Sequence, residues 1–254
     1  MLTIAISGLK GGTGKTTTAR ELAGALSERM RVLMVDADPQ ASLTHATLTT
    51  PPAYTLADVL DKRIDLAGAI VALGDRLAIV GADQRLSATE NALRSAAGGV
   101  FTLSKTLAKL QGYDLCIIDC MPTLSQLVTG ALLAADGCIV PSKPEANDIR
   151  GLPSFMALLA DVQDIPGAHV ELIGIVATMV RTGSTLHVDG IEALRALGPV
   201  IGQIGQTVRF SDASANLQTL SDVDANNTRV TEYQQLSNEV YKWIKRTQKR
   251  QASA

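Results

Sequence analysis

The stretch Ser7-Gly8-Leu9-Lys10-Gly11-Gly12-Thr13-Gly14-Lys15-Thr16-Thr17 crowds glycines, lysines and hydroxyl side chains between an apolar run and a helix-like repeat. Gly11, Gly12 and Gly14 let the backbone curl until successive N–H groups face one point, and a following helix adds the positive end of its dipole. That is chemistry for phosphate oxygens. Lys15 stands where an ammonium reaches the β- and γ-phosphates, and Thr16 where a hydroxyl ligates Mg²⁺. Thr13 and Thr17 complete the expected nucleotide-binding lining. The loop departs from G-x-x-x-x-G-K-[ST] at its first glycine, which is Leu9 here, and gains a second lysine, Lys10, inside K-G-G-x-G-K-[ST]-T.

Two carboxylate segments complement the loop. Asp36-Ala37-Asp38-Pro39-Gln40 closes one apolar run, and Tyr113-Asp114-Leu115-Cys116-Ile117-Ile118-Asp119 closes another. In a parallel sheet both runs end on the edge that carries the phosphate loop, so Asp38 and Asp119 converge on one metal and one water. Asp119 suits holding Mg²⁺ through a water, and Asp38 suits positioning the attacking water in phosphoryl transfer while contributing to the metal shell. ATP and Mg²⁺ are the cofactors this pattern implies, with Lys15 and Asp38 as its catalytic side chains.

These residues need strands and helices to position them. Apolar runs predict strands at Thr3 to Ser7, Val32 to Asp36, Leu77 to Gly81, Leu115 to Asp119, Gly137 to Pro141, Leu172 to Met179 and Val200 to Ile204. Between them, Thr16 to Glu28 carries Ala19, Leu22, Ala23 and Leu26 at i, i+3, i+4 and i+7, the stripe of a helix packed on a sheet. Leu152 to Val162 and Val230 to Arg246 are further helices. Alternation of strand and helix predicts an α/β fold: one P-loop nucleotide-binding domain over 1–254, with a mostly parallel twisted sheet flanked by helices on both faces. With 254 residues, 46% hydrophobic, the chain has enough apolar surface for one sizeable core.

Composition removes other classes. No run approaches a membrane span and no leader pattern opens the chain, so a cytosolic, unprocessed protein is expected. Cys116, Cys120 and Cys138 lie in apolar runs without a C-x-x-C pair, which predicts buried free thiols. His45, His169 and His187 are scattered and are expected at solvated positions, and no G-x-S-x-G context supports a hydrolase triad at Ser42 or Ser125. The net charge is −2, yet Arg229 to Arg250 holds six basic residues and two acidic ones. A mildly acidic body thus carries a basic helix and tail (about 229–254), on which Tyr233, Tyr241 and Trp243 are expected to anchor packing.

The loop Lys10 to Thr17, the Asp36–Gln40 box, the Asp119 strand, Val140-Pro141-Ser142-Lys143-Pro144-Glu145 and Thr207-Val208-Arg209-Phe210-Ser211-Asp212-Ala213 occur in the order found in the ParA/MinD group of deviant Walker A ATPases. The chain resembles the ParA partition ATPases within that group. The resemblance implies that Lys10 is a further catalytic side chain, reaching the ATP of a partner subunit, so that two chains clamp two nucleotides and the homodimer reports ATP occupancy. It places Thr178, Met179 and the Ile204-Gly205 turn near adenine, although this chain has Ile204-Gly205-Gln206 where the family usually has I-P-R. It implies slow basal turnover, non-specific binding of double-stranded DNA through Arg209, Lys242, Lys245, Arg246, Lys249 and Arg250, and a nucleoid-associated location. A ParB-like or other cargo adaptor would stimulate hydrolysis and release. A MinD-like membrane switch is the alternative; it needs an apolar C-terminal helix face, and this tail is polar past Ile244. An iron-protein-like redox enzyme needs cysteines placed for a shared cluster, and a superfamily tyrosine kinase needs a C-terminal tyrosine cluster; neither pattern is present.

Overall fold

In a computed structural model that describes residues 1–253, the apolar runs become the strands of one eight-stranded sheet. They are β1 (Leu2–Ile6), β2 (Val32–Ala37), β3 (Ile70–Ala72), β4 (Leu77–Val80), β5 (Leu115–Cys120), β6 (Gly137–Ser142), β7 (Glu171–Val180) and β8 (Val200–Gly205). Every residue of β1, β2, β5 and β6 is buried, as continuous apolar strands of a covered parallel sheet should be. The order is β3-β4-β2-β5-β1-β6-β7-β8, all parallel except β3 against β4. The sequence pattern predicts seven of these strands and misses β3, because three half-exposed residues at an edge are too few to show alternation.

Side chains alternate across the sheet and build a core on each face. Leu2, Ile4 and Ile6 of β1 pack with Ala19, Leu22, Ala23 and Leu26 of the helix Lys15–Ser27, confirming the predicted stripe. The C-terminal helix, Thr228–Ala252, lies on the same face through Tyr233, Leu236, Val240, Trp243 and Ile244. A Cβ on Gly202 would come within 3.1 Å of Leu236, and one on Gly137 within 2.7 Å of Trp243, so both glycines admit the helix to the sheet. That helix runs six residues past the predicted end at Arg246, since Thr247 to Ala252 contain no breaker and favour helix. Ala5, Leu33, Val35, Cys116 and Cys138 face the opposite core with Leu127, Phe155 and Leu159.

β1 sits between β5 and β6. The chain leaves β1 toward β2 on one side and reaches β6 to β8 on the other, so the strand order reverses at β1. A crevice therefore opens at its carboxyl end, where the glycine loop lies.

Candidate nucleotide-binding site

The phosphate loop is fixed from both ends. Ser7 donates its backbone N–H to Ile139 O of β6 at 3.1 Å, and Thr18 donates to Gly14 O at 2.8 Å as the first helix begins. Gly12 (φ 69°) and Gly14 (φ 84°) occupy the left-handed region, where a side chain would be strained. The helix start has no side-chain cap and no acidic residue in its first turn, so its N–H groups and dipole are left for an anion. Lys15 is buried, and its ammonium donates to Lys10 O at 2.7 Å. Burial lowers the Lys15 pKa, opposed by the charges of Asp119, Cys120 and Asp38. Lys10, by contrast, is exposed at the lip of the loop, and its side chain lies over Gly151, where a Cβ would stand 3.6 Å from Lys10 Cγ.

Asp36 and Asp119 are level on the adjacent strands β2 and β5, and both are buried. They do different work. Asp36 accepts from Thr44 N (2.8 Å), Thr44 Oγ1 (2.7 Å) and Asp38 N (3.1 Å), which ties down the loop that carries Asp38. Asp38 is half-buried and accepts from Gln40 N at 2.8 Å. Both oxygens of Asp119 are buried with no hydrogen-bond partner among the described residues. Burial, and then the charge of Asp36, push the Asp119 carboxyl well above the usual range, against the pull of the Thr16 hydroxyl and Lys15. A buried carboxylate without donors is costly unless a cation or its water shell meets it. Thr16 and Asp119 therefore fit the Mg²⁺ of a bound nucleotide, whose phosphates and waters would complete the shell. The positioning role of Asp36 is not evident in the sequence, where two carboxylates two residues apart look alike.

On the far side of the loop, Thr178 Oγ1 donates to Thr13 O at 2.8 Å and packs beside Gly14. Met179 takes φ 53°, and the β7–β8 ladder is irregular between Ala177 and Val180. A non-glycine residue in this region costs of order 1–3 kcal/mol and is held only where its surroundings enforce it. Gly205 donates its N–H to Glu232 at 2.8 Å, and a Cβ there would lie 2.2 Å from the Arg229 guanidinium, which itself pairs with Glu232. Arg229, counted with the basic tail by sequence, is thus part of the wall beside Gly205. Gln206 accepts from Arg181 Nε at 3.0 Å. His187 is a correction: it is buried, not solvated, and its Nδ1 accepts the Arg181 N–H at 3.0 Å.

A buried ion pair joins this site to the late motif. Arg20 and Glu21, on the helix that follows the loop, pair at 2.9 Å; Arg20 also donates to Ser214 Oγ at 2.8 Å, and Glu21 accepts from Leu220 N at 2.9 Å. Arg209 is half-exposed and already bound to Asp212 (3.0 Å) and Asp224 (3.5 Å). Lys242, Lys245, Arg246, Lys249 and Arg250 are exposed on the C-terminal helix, with Lys242 paired to Glu239 at 2.7 Å and Arg250 to Glu171 at 3.0 Å. Tyr233 and Trp243 are buried anchors as expected, and the three cysteines are free and buried. Among the described residues no helix is long and apolar enough to cross a membrane.

A family model described as an AAA domain matches residues 1–172. The carboxysome distribution protein A of Synechococcus elongatus is 32% identical over 225 residues, covering 84% of this chain and 89% of that protein. The chromosome-partitioning ATPase Soj of Thermus thermophilus is 32% identical over 246 residues, covering 93% and 94%. The fold of apo McdA from Cyanothece superposes with a TM-score of 0.87 at 24% identity over 94% of this chain and 99% of that one. With a two-lysine glycine loop, a metal-ready Asp119 and relatives matched along most of their length, the chain belongs to the ParA family of partition ATPases.

Proposed function

We propose that this chain is a Mg²⁺-dependent positioning ATPase whose ATP-bound form is a face-to-face homodimer that binds DNA without sequence preference. The observation that carries the proposal is the split between its two loop lysines, one buried in the phosphate cradle and one exposed at its lip. Lys15 and the uncapped helix N-terminus offset the charge of the bound triphosphate. Lys10 is free to neutralise charge on a neighbouring subunit's nucleotide in a water-poor interface. Support for such an interface comes from the four most exposed of the six large apolar side chains left in solvent among the described residues: Leu124, Leu186, Val188 and Val208 all follow the carboxyl ends of β5, β7 or β8, on the phosphate edge.

Within the site, Thr16 and Asp119 would hold Mg²⁺, which neutralises charge developing on the β- and γ-phosphates. Asp38, fixed by Asp36 through the backbone, orients the attacking water. Basal turnover is slow, and an adaptor on the cargo stimulates hydrolysis and release. The choice of cargo then belongs to the adaptor, and the protein works in the cytoplasm on the nucleoid. A membrane-anchored alternative lacks support, because Trp243 and Ile244, the apolar residues of the tail, are committed to the core.

Light scattering with ATP and Mg²⁺ tests the split. Wild type should dimerise, and Lys10→Ala should bind ATP yet remain monomeric; a normal dimer in the variant rejects the sandwich. Asp38→Ala should bind ATP and dimerise but lose turnover by about 10²-fold or more. Partner-stimulated hydrolysis at the wild-type rate would remove Asp38 from the water-positioning role.

A further inference from the structure

Away from the phosphate edge, a cleft of about 790 Å³ runs between residues 59–67 and one flank of the helix Thr102–Leu107. Lys105 on that helix and Lys109 in the turn that follows it line one wall, and Lys62 and Arg63 line the other. Asp65 is the lone carboxylate of the lining, and it is engaged by the Gly68 N–H at 2.8 Å. Arg63 pairs with Asp58 and Asp61 at 3.5 and 3.4 Å. Lys62, Lys105 and Lys109 make no ion pair among the described residues. In a chain of net charge −2 this is a concentrated cationic surface.

One feature separates the cleft from an ordinary solvated face: its lining is partly apolar, through Ile64 and Leu110, both half-buried and packed against the core. Lys62 stands at the end of the helix Leu56–Leu60 as its left-handed terminating residue (φ 61°), with its N–H donating to Val59 O at 3.0 Å and the Arg63 N–H to Asp58 O at 2.9 Å, so the cap fixes where its cation emerges. Like charges gathered around an apolar depression repel one another until an anion with apolar neighbours meets them.

We propose that this cleft docks an acidic, amphipathic segment of a partner protein, with carboxylates against Lys62, Lys105 and Lys109 and apolar side chains against Ile64 and Leu110. A concave, partly apolar cleft matches a peptide better than a duplex, whose phosphates need an open cationic ridge. The cleft lies on the sheet face of Ala5, Leu33 and Val35, opposite the C-terminal helix. A docked partner and DNA held by the tail therefore do not compete. The proposal does not depend on the nucleotide chemistry above.

Fluorescence anisotropy with a labelled helical peptide of Glu and Leu, and a Lys-for-Glu version as control, tests it. The acidic peptide should bind saturably with or without ATP, weaken with salt, and lose at least about tenfold in affinity to K62E/K105E/K109E. K62Q/K105Q/K109Q should fall between. ATP-analogue binding and far-UV circular dichroism should be unchanged in both variants, whatever the fate of the nucleotide cycle. Absence of saturable binding to wild type, or equal binding to the charge-reversed variant, overturns the proposal. So does displacement of the peptide by random-sequence duplex together with lost duplex binding in that variant, which would make the cleft a DNA surface.

Discussion

At the carboxyl edge of the sheet Asp119 has both oxygens buried and unpartnered, whereas along the C-terminal helix Lys242 and Arg250 stand in solvent, already paired with Glu239 and Glu171. The first region lowers the stability of the ligand-free chain by holding a carboxylate, a buried ammonium and a left-handed Met179 in fixed geometry. The second costs little to maintain, because exposed pairs contribute only about 0–1 kcal/mol and exchange partners readily. A site that must position atoms is preorganised and strained; a surface that must attract a polyanion needs only number and placement of charges.

The sharpest way to break this contrast is inside the loop. Lys15→Ala should reduce ATP affinity by more than about 10³-fold, because no other side chain in the cradle supplies a buried cation to the phosphates. Titration of a fluorescent ATP analogue measures it, and near-wild-type affinity would show that the helix N-terminus alone suffices. Asp119→Asn should do something a purely structural residue would not. Without nucleotide it should stabilise the fold at pH 8 by about 1–3 kcal/mol, since the buried wild-type carboxyl must there either take up a proton from dilute solution or stay ionised in the interior. The sign follows from the raised carboxyl: the native state holds a proton that the unfolded chain has already released, so wild-type stability falls as pH rises above about 4. The advantage of the variant should therefore vanish toward pH 4, while the stabilisation by Mg²⁺ and ATP seen in wild type should be lost. Thermal melts across pH, with and without the nucleotide, would contradict this if the variant melts lower at pH 8 without ligand.

The same contrast explains what the sequence reveals. Phosphate loops are built from neighbouring residues, so Gly11 to Thr17 and the strands that end in Asp38 and Asp119 are legible from order and spacing alone. Asp36 is not, because its role rests on Thr44, a residue of the next helix, and on burial that spacing does not encode. Arg229 reads as one more basic residue until the fold sets it against Gly205. His187 reads as solvated until the backbone after β7 turns Arg181 toward it. The cleft of Lys62, Lys105 and Lys109 joins segments about forty residues apart, each unremarkable by itself. Local chemistry is written in sequence; chemistry assembled by long-range packing is not.

The smallest expected effect lies in the tail, and the structure divides its five cations. Lys245, Arg246 and Lys249 make no ion pair among the described residues; Lys245 lies over the Tyr241 ring at 5.2 Å from its centre and donates to Gln248 Oε1 at 3.4 Å, neutral partners that leave its net charge in place. Lys242 and Arg250 must first give up Glu239 and Glu171 to meet a phosphate. Each cation that neutralises a phosphate contributes roughly 0.9 to the slope of log K against log salt. Lys245→Ala, Arg246→Ala and Lys249→Ala together should therefore flatten that slope by about three per engaged tail, while the Lys242→Ala, Arg250→Ala pair should change it far less. Both variants should keep ATP-dependent dimerisation and should weaken binding uniformly across DNA sequences, because phosphate contacts carry no base information. Anisotropy of random-sequence duplexes, with ATP and over a salt series, separates the two sets. An equal loss of slope from the paired set would mean that its carboxylates do not compete with phosphate, and an unchanged slope in both would move DNA binding off the tail, leaving Arg209 and its two carboxylates as the next element to test.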